Sequence, residues 1–327
     1  MDSLLLPYIA IEMTKVPLVE ERLNEERDEF RVLSIQSHVV HGYAGNKCAI
    51  FPLQIHGFEV DFVNSVQFSN HTGYGQIRGN RLTDKDLDEL FEGLKLNNIT
   101  RYSHVLSGYC GDPSFLRSIS NVVAELKKTN PDLIYVCDPV LGDNGEYYTP
   151  KELLPVYQES ILPLADILTP NAFELGELTG RQVKNEADCL AAIKVLHETK
   201  GIRIVIVTSG IFTENKDLMY CYASEMKSPN QFVQYRFEIP LIRGVFVGTG
   251  DVFTSLLIVW HSLLGGDLRQ AICNLLGSMQ CLLKRTSDYA YGISSNPNAG
   301  QRELRLLQSR YDLLVPTGDI RWVEIGL

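Results

Sequence analysis

Three features are missing from this sequence of 327 residues. No apolar run approaches the ~20 residues of a membrane-spanning helix. The first 30 residues lack the basic start of a targeting signal and turn acidic from Glu20. Cations are in deficit, since 30 Lys and Arg against 40 Asp and Glu give a net charge of -10. We therefore expect a cytoplasmic protein that binds neither nucleic acid nor a membrane.

Closely spaced cysteine pairs are also absent. The chain has seven cysteines, an odd number, and none of them forms a C-x-x-C pair. Most lie within apolar segments, which is typical of small core residues in a reducing compartment. We expect free thiols and no zinc site built from cysteine.

Strand-like and helix-like segments alternate from Arg31 onward. Apolar runs at 133–140 and 202–210 are typical of central parallel strands, whereas 115–126 has the spacing of an amphipathic helix. The alternation predicts an α/β fold with a mostly parallel, twisted sheet and helices on both faces, and ligands at the carboxyl ends of the strands. Residues 1–30 are expected to be a flexible N-terminal extension, and 31–327 a single domain.

Three further elements are predicted toward the C-terminus. Segments 217–225 and 231–242 alternate as in a β-hairpin. A helix with Asp267 as N-cap is expected up to about residue 283, and a last short helix at 301–309.

The stretch VFVGTGDVFTSLLIVW (245–260) places Gly-Thr-Gly-Asp between a predicted strand end at 245–247 and a buried helix from Val252. Glycines there allow several backbone N–H groups to face one ligand at a helix start, which makes an anion site suited to phosphoryl transfer. Asp251 beside that site can act as a base, or it can merely cap the helix. The segment is neither a dinucleotide fingerprint, because Phe253 replaces part of the glycine pattern, nor a Walker P-loop.

Carboxylates follow two other predicted strands. CDPVLGD (137–143) places Asp138 and Asp143 after a central strand, where Mg²⁺ is a natural partner and an ordinary turn is the alternative. In TPNAFELGELTG (169–180), Thr169 is the expected N-cap with Pro170 at the first helical position. Asn171 and Glu174 then share a helix face, either toward a ligand or only as a cap.

Hydroxyls follow the first two strands, in SIQSHVVHGYAGN (34–46) and SVQFSNHTGYG (65–75). Ser37 and Thr72 could hydrogen-bond a small polar ring, and Tyr109 could stack on a ring or pack in the core. The nearby histidines lack a zinc-ligand spacing and are interpreted as structural.

Taken together and in order, these stretches resemble the pyridoxal kinases of the ribokinase-like superfamily. The resemblance runs from Arg31 to about Asp312. The motifs that carry it are VLSIQSHVVHGYAGNKCAIFPLQ, NSVQFSNHTGY, YVCDPVLGD, ADILTPNAFELGELTG, VTSG, VFVGTGD and RELRLLQSRYD. The GTGD and D-P-V-x-G-D motifs are widespread in the superfamily, whereas SIQSHVVHGYAGN and SVQFSNHTGY are more specific.

The resemblance implies a ribokinase-like fold and ATP-dependent phosphorylation of the 5′-hydroxymethyl group of pyridoxal, pyridoxine and pyridoxamine. It implies Asp251 as base and an anion hole at Gly248, Thr249 and Gly250. It also implies Mg²⁺ or Zn²⁺ with ATP, help from K⁺ or Na⁺, and a cytosolic homodimer. The implied vitamer-binding residues are Ser37, Val66, Phe68, Thr72, Tyr109 and Asp251. The implied ATP-binding residues are Asp138, Asp143, Tyr148, Thr169, Asn171, Glu174, Thr208, Ser209, Val247, Gly248, Thr249 and Gly250, and the implied metal ligands are Asp138, Asp143, Thr169 and Glu174.

One departure from the family concerns NGEYYT (144–149), which is shorter than the lid of animal members, with Tyr148 in the place of the lid tyrosine. Three other functions stay open at this point. They are a related kinase for hydroxymethylpyrimidine or a sugar, a non-catalytic vitamin B6-binding protein and, disfavoured by the glycine pattern, a nicotinamide oxidoreductase.

Overall fold

The computed structural model describes residues 30–212 and 214–326, so the predicted N-terminal extension lies outside the described residues. Numbered in chain order, the strands are β1 (Arg31–Val39), β2 (Glu59–Phe68), β3 (Gly79–Arg81), β4 (His104–Ser107), β5 (Ile134–Cys137), β6 (Gly142–Asp143), β7 (Glu146–Tyr147), β8 (Ile167–Leu168), β9 (Ile204–Phe212), β10 (Leu218–Ser228), β11 (Gln231–Pro240) and β12 (Trp322–Ile325).

The α-helices are α1 (Asn46–Ile55), α2 (Asp84–Leu96), α3 (Pro113–Thr129), α4 (Leu153–Val156), α5 (Ala172–Thr179), α6 (Glu186–Lys200), α7 (Thr249–Leu263), α8 (Leu268–Ile293) and α9 (Arg310–Leu314). Shorter turns complete the helical elements: a π turn at Tyr157–Ile161 and 3₁₀ turns at Leu162–Leu164, Gly300–Arg302 and Leu307–Ser309.

Ten strands form one sheet in the order β12-β11-β10-β9-β8-β5-β4-β1-β2-β3, while β6 and β7 form a separate ribbon. The six strands β2, β1, β4, β5, β8 and β9 run parallel. An antiparallel extension, β10–β12, completes one side, and β3 closes the other. The carboxyl ends of the parallel strands therefore share one edge, and the predicted fold class and hairpin are confirmed.

Helices cover both faces of the sheet. One core contains the buried faces of α2, α3, α5 and α6, and the other contains those of α1, α7 and α8. Alternate residues of β9 divide between them: Val205 and Val207 join the first core, whereas Ile204 and Ile206 join the second. Full burial on both faces explains why this strand reads as a continuous apolar run.

Two predictions of local structure are wrong. Residues 245–247 are not a strand, since no neighbouring strand pairs with them and Val245 is 69% exposed; α7 instead begins at Thr249. The helix expected at 301–309 is broken at Glu303, whose φ of -56° and ψ of 135° are not helical, so two 3₁₀ turns precede α9. Helix α8 is longer than expected, because it continues to Ile293, although Asp267 caps it as predicted.

All seven cysteines lie in the described part of the chain and are free, and five of them are buried. Among residues 30–212 and 214–326, no helix combines the length and the apolar character needed to cross a bilayer.

Candidate active site

The start of α7 carries unpaired backbone donors. Gly248 precedes the helix with a left-handed φ of 85°, and no side chain caps this end. The first amide with a helical acceptor is that of Val252, which donates to the Gly248 carbonyl at 3.1 Å. Among the described residues, nothing accepts a hydrogen bond from the N–H groups of Thr249, Gly250 and Asp251. Three adjacent donors at the positive end of a 15-residue helix form a site for an anion.

Close packing beneath the turn requires glycine at position 248. A Cβ on Gly248 would lie 2.6 Å from Cys48 Sγ and 2.9 Å from the Tyr43 carbonyl oxygen. Since the backbone is also left-handed there, any other residue would be strained. The turn is thereby seated on α1, and burial raises the pKa of the Cys48 thiol well above its usual value.

Asp251 lies in the first turn of α7, and its carboxylate does not cap that helix. Instead Oδ2 accepts the Gly45 N–H at 2.6 Å, from the loop that follows β1. Burial raises the pKa of Asp251 to about 6, although the Gly45 N–H opposes the shift. A carboxylate with this pKa is ionised at neutral pH and accepts a proton more readily than an ordinary aspartate does.

Asp138 follows β5 and is 7% exposed. Within the described residues, no hydrogen bond reaches its carboxylate. A Cβ on Gly250 would lie 3.1 Å from Asp138 Oδ2, so this carboxylate adjoins the start of α7. Burial, and then the charges of Glu174 and Asp251, raise the pKa of Asp138 well above its usual range.

Glu174 belongs to the capping box of α5. The N-cap of α5 is Asn171 and not Thr169 as predicted, because the Asn171 side chain reaches the Glu174 N–H at 2.9 Å while Glu174 Oε2 accepts the Asn171 N–H at 2.9 Å. Glu174 Oε1 accepts the Leu141 N–H at 3.0 Å and the Gly142 N–H at 3.4 Å. Burial raises the pKa of Glu174 to about 7 against these three donors.

The Thr169 hydroxyl is buried and donates to the Cys137 carbonyl at 3.4 Å. Thr208, half-buried in the middle of β9, donates its N–H to the Pro170 carbonyl at 2.9 Å, and Ser209 follows it. The carboxyl ends of β5 and β8 are therefore tied to the middle of β9.

The β6–β7 ribbon adjoins α5, since Asn171 Nδ2 donates to the Gly142 carbonyl at 2.7 Å. Asp143 in this ribbon is half-buried, and its Oδ1 accepts the Asn144 N–H at 2.8 Å. Tyr148, the predicted lid residue, follows the ribbon and is 61% exposed. The short lid thus lies beside the carboxylates with its tyrosine in solvent.

Two of the predicted vitamer-binding residues, Ser37 and Thr72, lie near Asp251 and the start of α7. A Cβ on Gly45 would overlap the Ser37 hydroxyl, so Ser37 adjoins the amide that binds Asp251. Thr72 is exposed, and the turn that carries it approaches Val247, since a Cβ on Gly73 would lie 3.6 Å from Val247 Cγ2.

The aromatic residues predicted for the ring form a second group. Arg81 lies 5.7 Å from the centre of the Phe68 ring, and a Cβ on Gly111 would lie 3.0 Å from Arg81 Nη1 and 3.4 Å from the Tyr109 hydroxyl. Val66 on the same strand as Phe68 is 1% exposed, so it offers little surface to a ligand.

The carboxylates of this site fit a cation that takes most of its ligands from water and phosphate and only one or two from the protein. In the described ranges, no three Asp, Glu, His or Cys side chains are grouped so that they could hold a metal ion. Within the described part of the chain, Asp138 is nevertheless a buried carboxylate without a hydrogen-bond donor, and both Glu174 oxygens already accept backbone N–H groups. Mg²⁺ commonly binds one or two carboxylates together with water and phosphate oxygens, which suits this arrangement.

Sequence reasoning missed two residues. Gly45 donates to Asp251, and Glu303 binds the loop that contains Tyr43. Both lie inside quoted motifs, HGYAGN and RELRLL, but only the folded chain shows their partners.

Sequence comparison finds one matching family model and several relatives that are named pyridoxal kinase. The family model for phosphomethylpyrimidine kinase matches residues 115–274. A putative pyridoxal kinase of Caenorhabditis elegans is 56% identical over 315 residues, 93% of this chain and 96% of the relative. Human pyridoxal kinase is 43% identical over 88% of this chain and 96% of its own length.

Solved structures agree. Pyridoxal kinase from Leishmania donovani in complex with ADP and pyridoxine is 34% identical, covers 91% of this chain and 100% of that chain, and has a TM-score of 0.85. The enzyme from Trypanosoma brucei is 33% identical, covers 91% of this chain and all of its own, and has a TM-score of 0.80. With this identity and this fold over nearly its whole length, the chain belongs to the pyridoxal kinase family.

Proposed function

We propose that the chain transfers the γ-phosphoryl group of ATP to the 5′-hydroxymethyl group of pyridoxal, and also of pyridoxine and pyridoxamine. The single observation that supports this most is the set of three unpaired N–H groups at Thr249, Gly250 and Asp251 beside the Asp251 carboxylate. The solved complexes of Leishmania donovani pyridoxal kinase with ADP and pyridoxamine or pyridoxine favour the same substrates.

Positioning and charge account for most of phosphoryl-transfer catalysis. The N–H groups at 249–251 hold the oxygens of the migrating phosphoryl group, whose charge spreads over those oxygens in the transition state. Asp251 accepts the proton of the attacking 5′-hydroxyl, the new oxygen–phosphorus bond forms in line, and ADP leaves with the electrons of the bond that breaks. Ser37 and Thr72 orient the vitamer ring, flanked by Phe68 and Tyr109, while the buried Val66 offers the ring little surface.

The nucleotide side of the cleft binds ATP and its metal ion. Asn171, Thr169, Thr208, Ser209 and Val247 are proposed to line the ATP site, with Tyr148 as its cover. Asp138, Asp143, Thr169 and Glu174 are the proposed metal set, among which Asp138 is free to contact an ion directly and Glu174 acts more readily through water. Bound Mg²⁺ or Zn²⁺ would neutralise charge between these carboxylates and the triphosphate.

The decisive experiment measures ADP release in a coupled assay. Pyridoxal, pyridoxine, pyridoxamine, hydroxymethylpyrimidine and ribose are compared, with and without Mg²⁺. We expect turnover with the three vitamers that depends on the divalent ion. Preference for ribose or hydroxymethylpyrimidine would remove the proposed substrate and leave the phosphoryl-transfer chemistry.

Hydroxymethylpyrimidine is the second candidate substrate, because the matching family model is that of phosphomethylpyrimidine kinase. That model runs from α3 into the first turns of α8, a range that contains the phosphate side of the cleft. The segments with Ser37, Val66, Phe68 and Thr72 lie outside it, so the match bears on the nucleotide side and not on the vitamer.

Some expectations concern the whole molecule. We propose that residues 31–327 form one kinase domain, which the single sheet with strands from Arg31 to Ile325 supports. A cytoplasmic homodimer, helped by K⁺ or Na⁺, stays a prediction from the family resemblance. Gel filtration with light scattering, and activity in K⁺, Na⁺ or a bulky organic cation, test the assembly state and the ion.

A further inference from the structure

Glu303 binds two loops at once, the loop that follows β1 and the turn that follows β2. Its side chain is 13% exposed and stands after the 3₁₀ turn Gly300–Arg302. Oε2 accepts the Tyr43 N–H at 2.8 Å, and Oε1 accepts the Tyr74 hydroxyl at 2.8 Å. The same Oε1 lies 3.1 Å from His71 Nε2. One carboxylate thus receives donors from the loop after β1 and from the turn after β2.

His71 is held in one tautomer. Its Nδ1 accepts the Gly73 N–H at 3.0 Å, so Nδ1 carries no proton and Nε2 is the donor to Glu303. Thr72 lies between His71 and Gly73, whose hydrogen bond therefore spans its backbone. Because the ring is oriented by Glu303, the position of the Thr72 hydroxyl depends on that carboxylate.

The second loop leads to Asp251. Glu303 fixes the Tyr43 N–H, and two residues later the Gly45 N–H donates to Asp251 Oδ2 at 2.6 Å. The Tyr43 carbonyl also packs against Gly248 at the start of α7. Loss of the Glu303 contact would therefore loosen the donor that orients the base.

Gly42 gives independent support. Its φ is +79°, and a Cβ at this position would overlap the Glu303 carboxyl group. The backbone of the loop thus passes directly against the carboxylate, and only glycine allows this approach.

We propose that Glu303 is a positioning residue that sets the vitamer side of the cleft, by fixing the loop 41–45 and the turn 71–74 in one arrangement. This inference rests on the proposed function for its kinetic test. Glu303 does not contact the nucleotide-binding residues Asn171 and Thr208, so the proposal separates the two substrates: pyridoxal depends on Glu303 and ATP does not.

The test is Glu303→Gln. An amide offers one acceptor oxygen and one donor group, so one of the two loops meets a donor in place of an acceptor. A hydrogen bond to a charged group is worth about 1.5–3 kcal/mol, so kcat/KM for pyridoxal should fall about 10- to 100-fold. KM for ATP should stay within about twofold of the wild-type value, since no bond on that side of the cleft is removed.

Asp166→Asn is the matched control. Asp166 likewise accepts a backbone N–H, that of Tyr135 at 2.7 Å, together with a side-chain donor, Lys127 Nζ at 2.6 Å. It lies before β8, at the opposite end of the strand from the cleft. Replacing a carboxylate whose role is only structural should lower the melting temperature and leave the KM values for both substrates unchanged. We expect this of Asp166→Asn, and the same result for Glu303→Gln would mean that its role is structural too.

Amide hydrogen exchange without substrates gives a second, activity-independent measurement. In Glu303→Gln the amides of Tyr43, Gly45 and Gly73 should exchange faster, while those of β5 and β9 keep their protection. If wild-type protein does not phosphorylate pyridoxal but these amides are released, the proposed function fails and the positioning role stands. If wild-type protein is active and Glu303→Gln behaves like Asp166→Asn, with all three amides still protected, the positioning role is overturned.

A milder variant covers the case in which Glu303→Gln does not fold. Tyr74→Phe removes one hydroxyl from Oε1 and leaves the ring in place. It should raise KM for pyridoxal by about tenfold, the lower end of the range expected when one hydrogen bond to a charged group is lost. An unchanged KM for pyridoxal in a folded Tyr74→Phe protein would also contradict the proposal.

Discussion

Carboxylates occur in two different settings in this chain. Away from the cleft several have cationic partners: Asp166 binds Lys127 at 2.6 Å, and Glu186 binds Arg236 at 2.8 Å. At the carboxyl ends of the parallel strands, Asp138, Glu174 and Asp251 lie near one another, and in the described part of the chain no Lys or Arg pairs with any of them.

The difference separates groups that support the fold from groups that await a ligand. A buried charge without a cationic partner costs free energy, and burial therefore raises the pKa values of all three cleft carboxyls. Folding alone does not favour such an arrangement, and strained electrostatics of this kind mark functional sites. The cleft is therefore organised for charges that arrive with the substrates.

The largest expected effect in the cleft is that of Asp251→Asn. The amide keeps the size of the side chain but cannot accept the proton of the 5′-hydroxyl, and general-base catalysis contributes about 10²–10⁴ in rate. We expect kcat to fall by about that factor, whereas the Kd for pyridoxal, measured by equilibrium titration, changes little. Unchanged turnover would refute the base assignment, and a wild-type protein that binds pyridoxal without turnover would be a binding protein.

The next largest effect on kcat is expected for a glycine substitution in the cleft, compared with one outside it. Gly250→Ala places a methyl group about where Asp138 Oδ2 and the incoming phosphoryl oxygens meet, since its Cβ would lie 3.1 Å from that oxygen. We expect kcat to fall about 10²-fold, comparable to the loss of one donor from an anion hole. Gly292→Ala in α8 is the matched control, because a Cβ there meets nothing within 4 Å. It should leave kcat unchanged and raise the free energy of unfolding by up to about 1 kcal/mol.

Activity should fall in acid with the titration of Asp251. Because burial raises the pKa of Asp251 to about 6, the base is progressively protonated below that pH. We expect kcat/KM for pyridoxal to decline with a midpoint near pH 6, and to be about tenfold lower one unit below it. A midpoint near the ordinary aspartate value of about 3.9 would contradict the buried environment. The residual activity of Asp251→Asn should lack this acid decline.

The geometry of the phosphate side of the site could be predicted from the sequence better than that of the vitamer side. GTGD and CDPVLGD are local: donors, glycines and carboxylate follow one another, so chain order almost gives their geometry. Glu303 and Gly45 act through contacts across 260 and 206 positions of sequence. No local pattern encodes such a pairing, and the helical interpretation of 301–309 concealed the extended residue that makes it possible.

Short local elements show the same limit of reasoning from sequence. The alternation of strand-like and helix-like segments predicts the mostly parallel sheet, and the continuous apolar runs at 133–140 and 202–210 are typical of its buried strands. The short strands β3, β6 and β7 were missed, since two or three residues carry no periodicity. The N-cap of α5 was placed at Thr169 because Thr-Pro is a common helix start, whereas the capping box with Glu174 selects Asn171.

The smallest expected effect compares stability across the two settings. Because the pKa of Asp138 is raised in the folded chain, its contribution to stability is full below the unfolded pKa of about 3.9 and is lost as pH rises toward the folded pKa. Asp138→Asn should therefore raise the free energy of unfolding at pH 8, with the gain vanishing near pH 4. Asp166→Asn should instead lower it by about 1 kcal/mol, because a paired carboxylate is lost. Urea denaturation of ligand-free protein at both pH values measures this, and a destabilised Asp138→Asn at pH 8 would mean that the cleft carboxylates support the fold as the distant ones do.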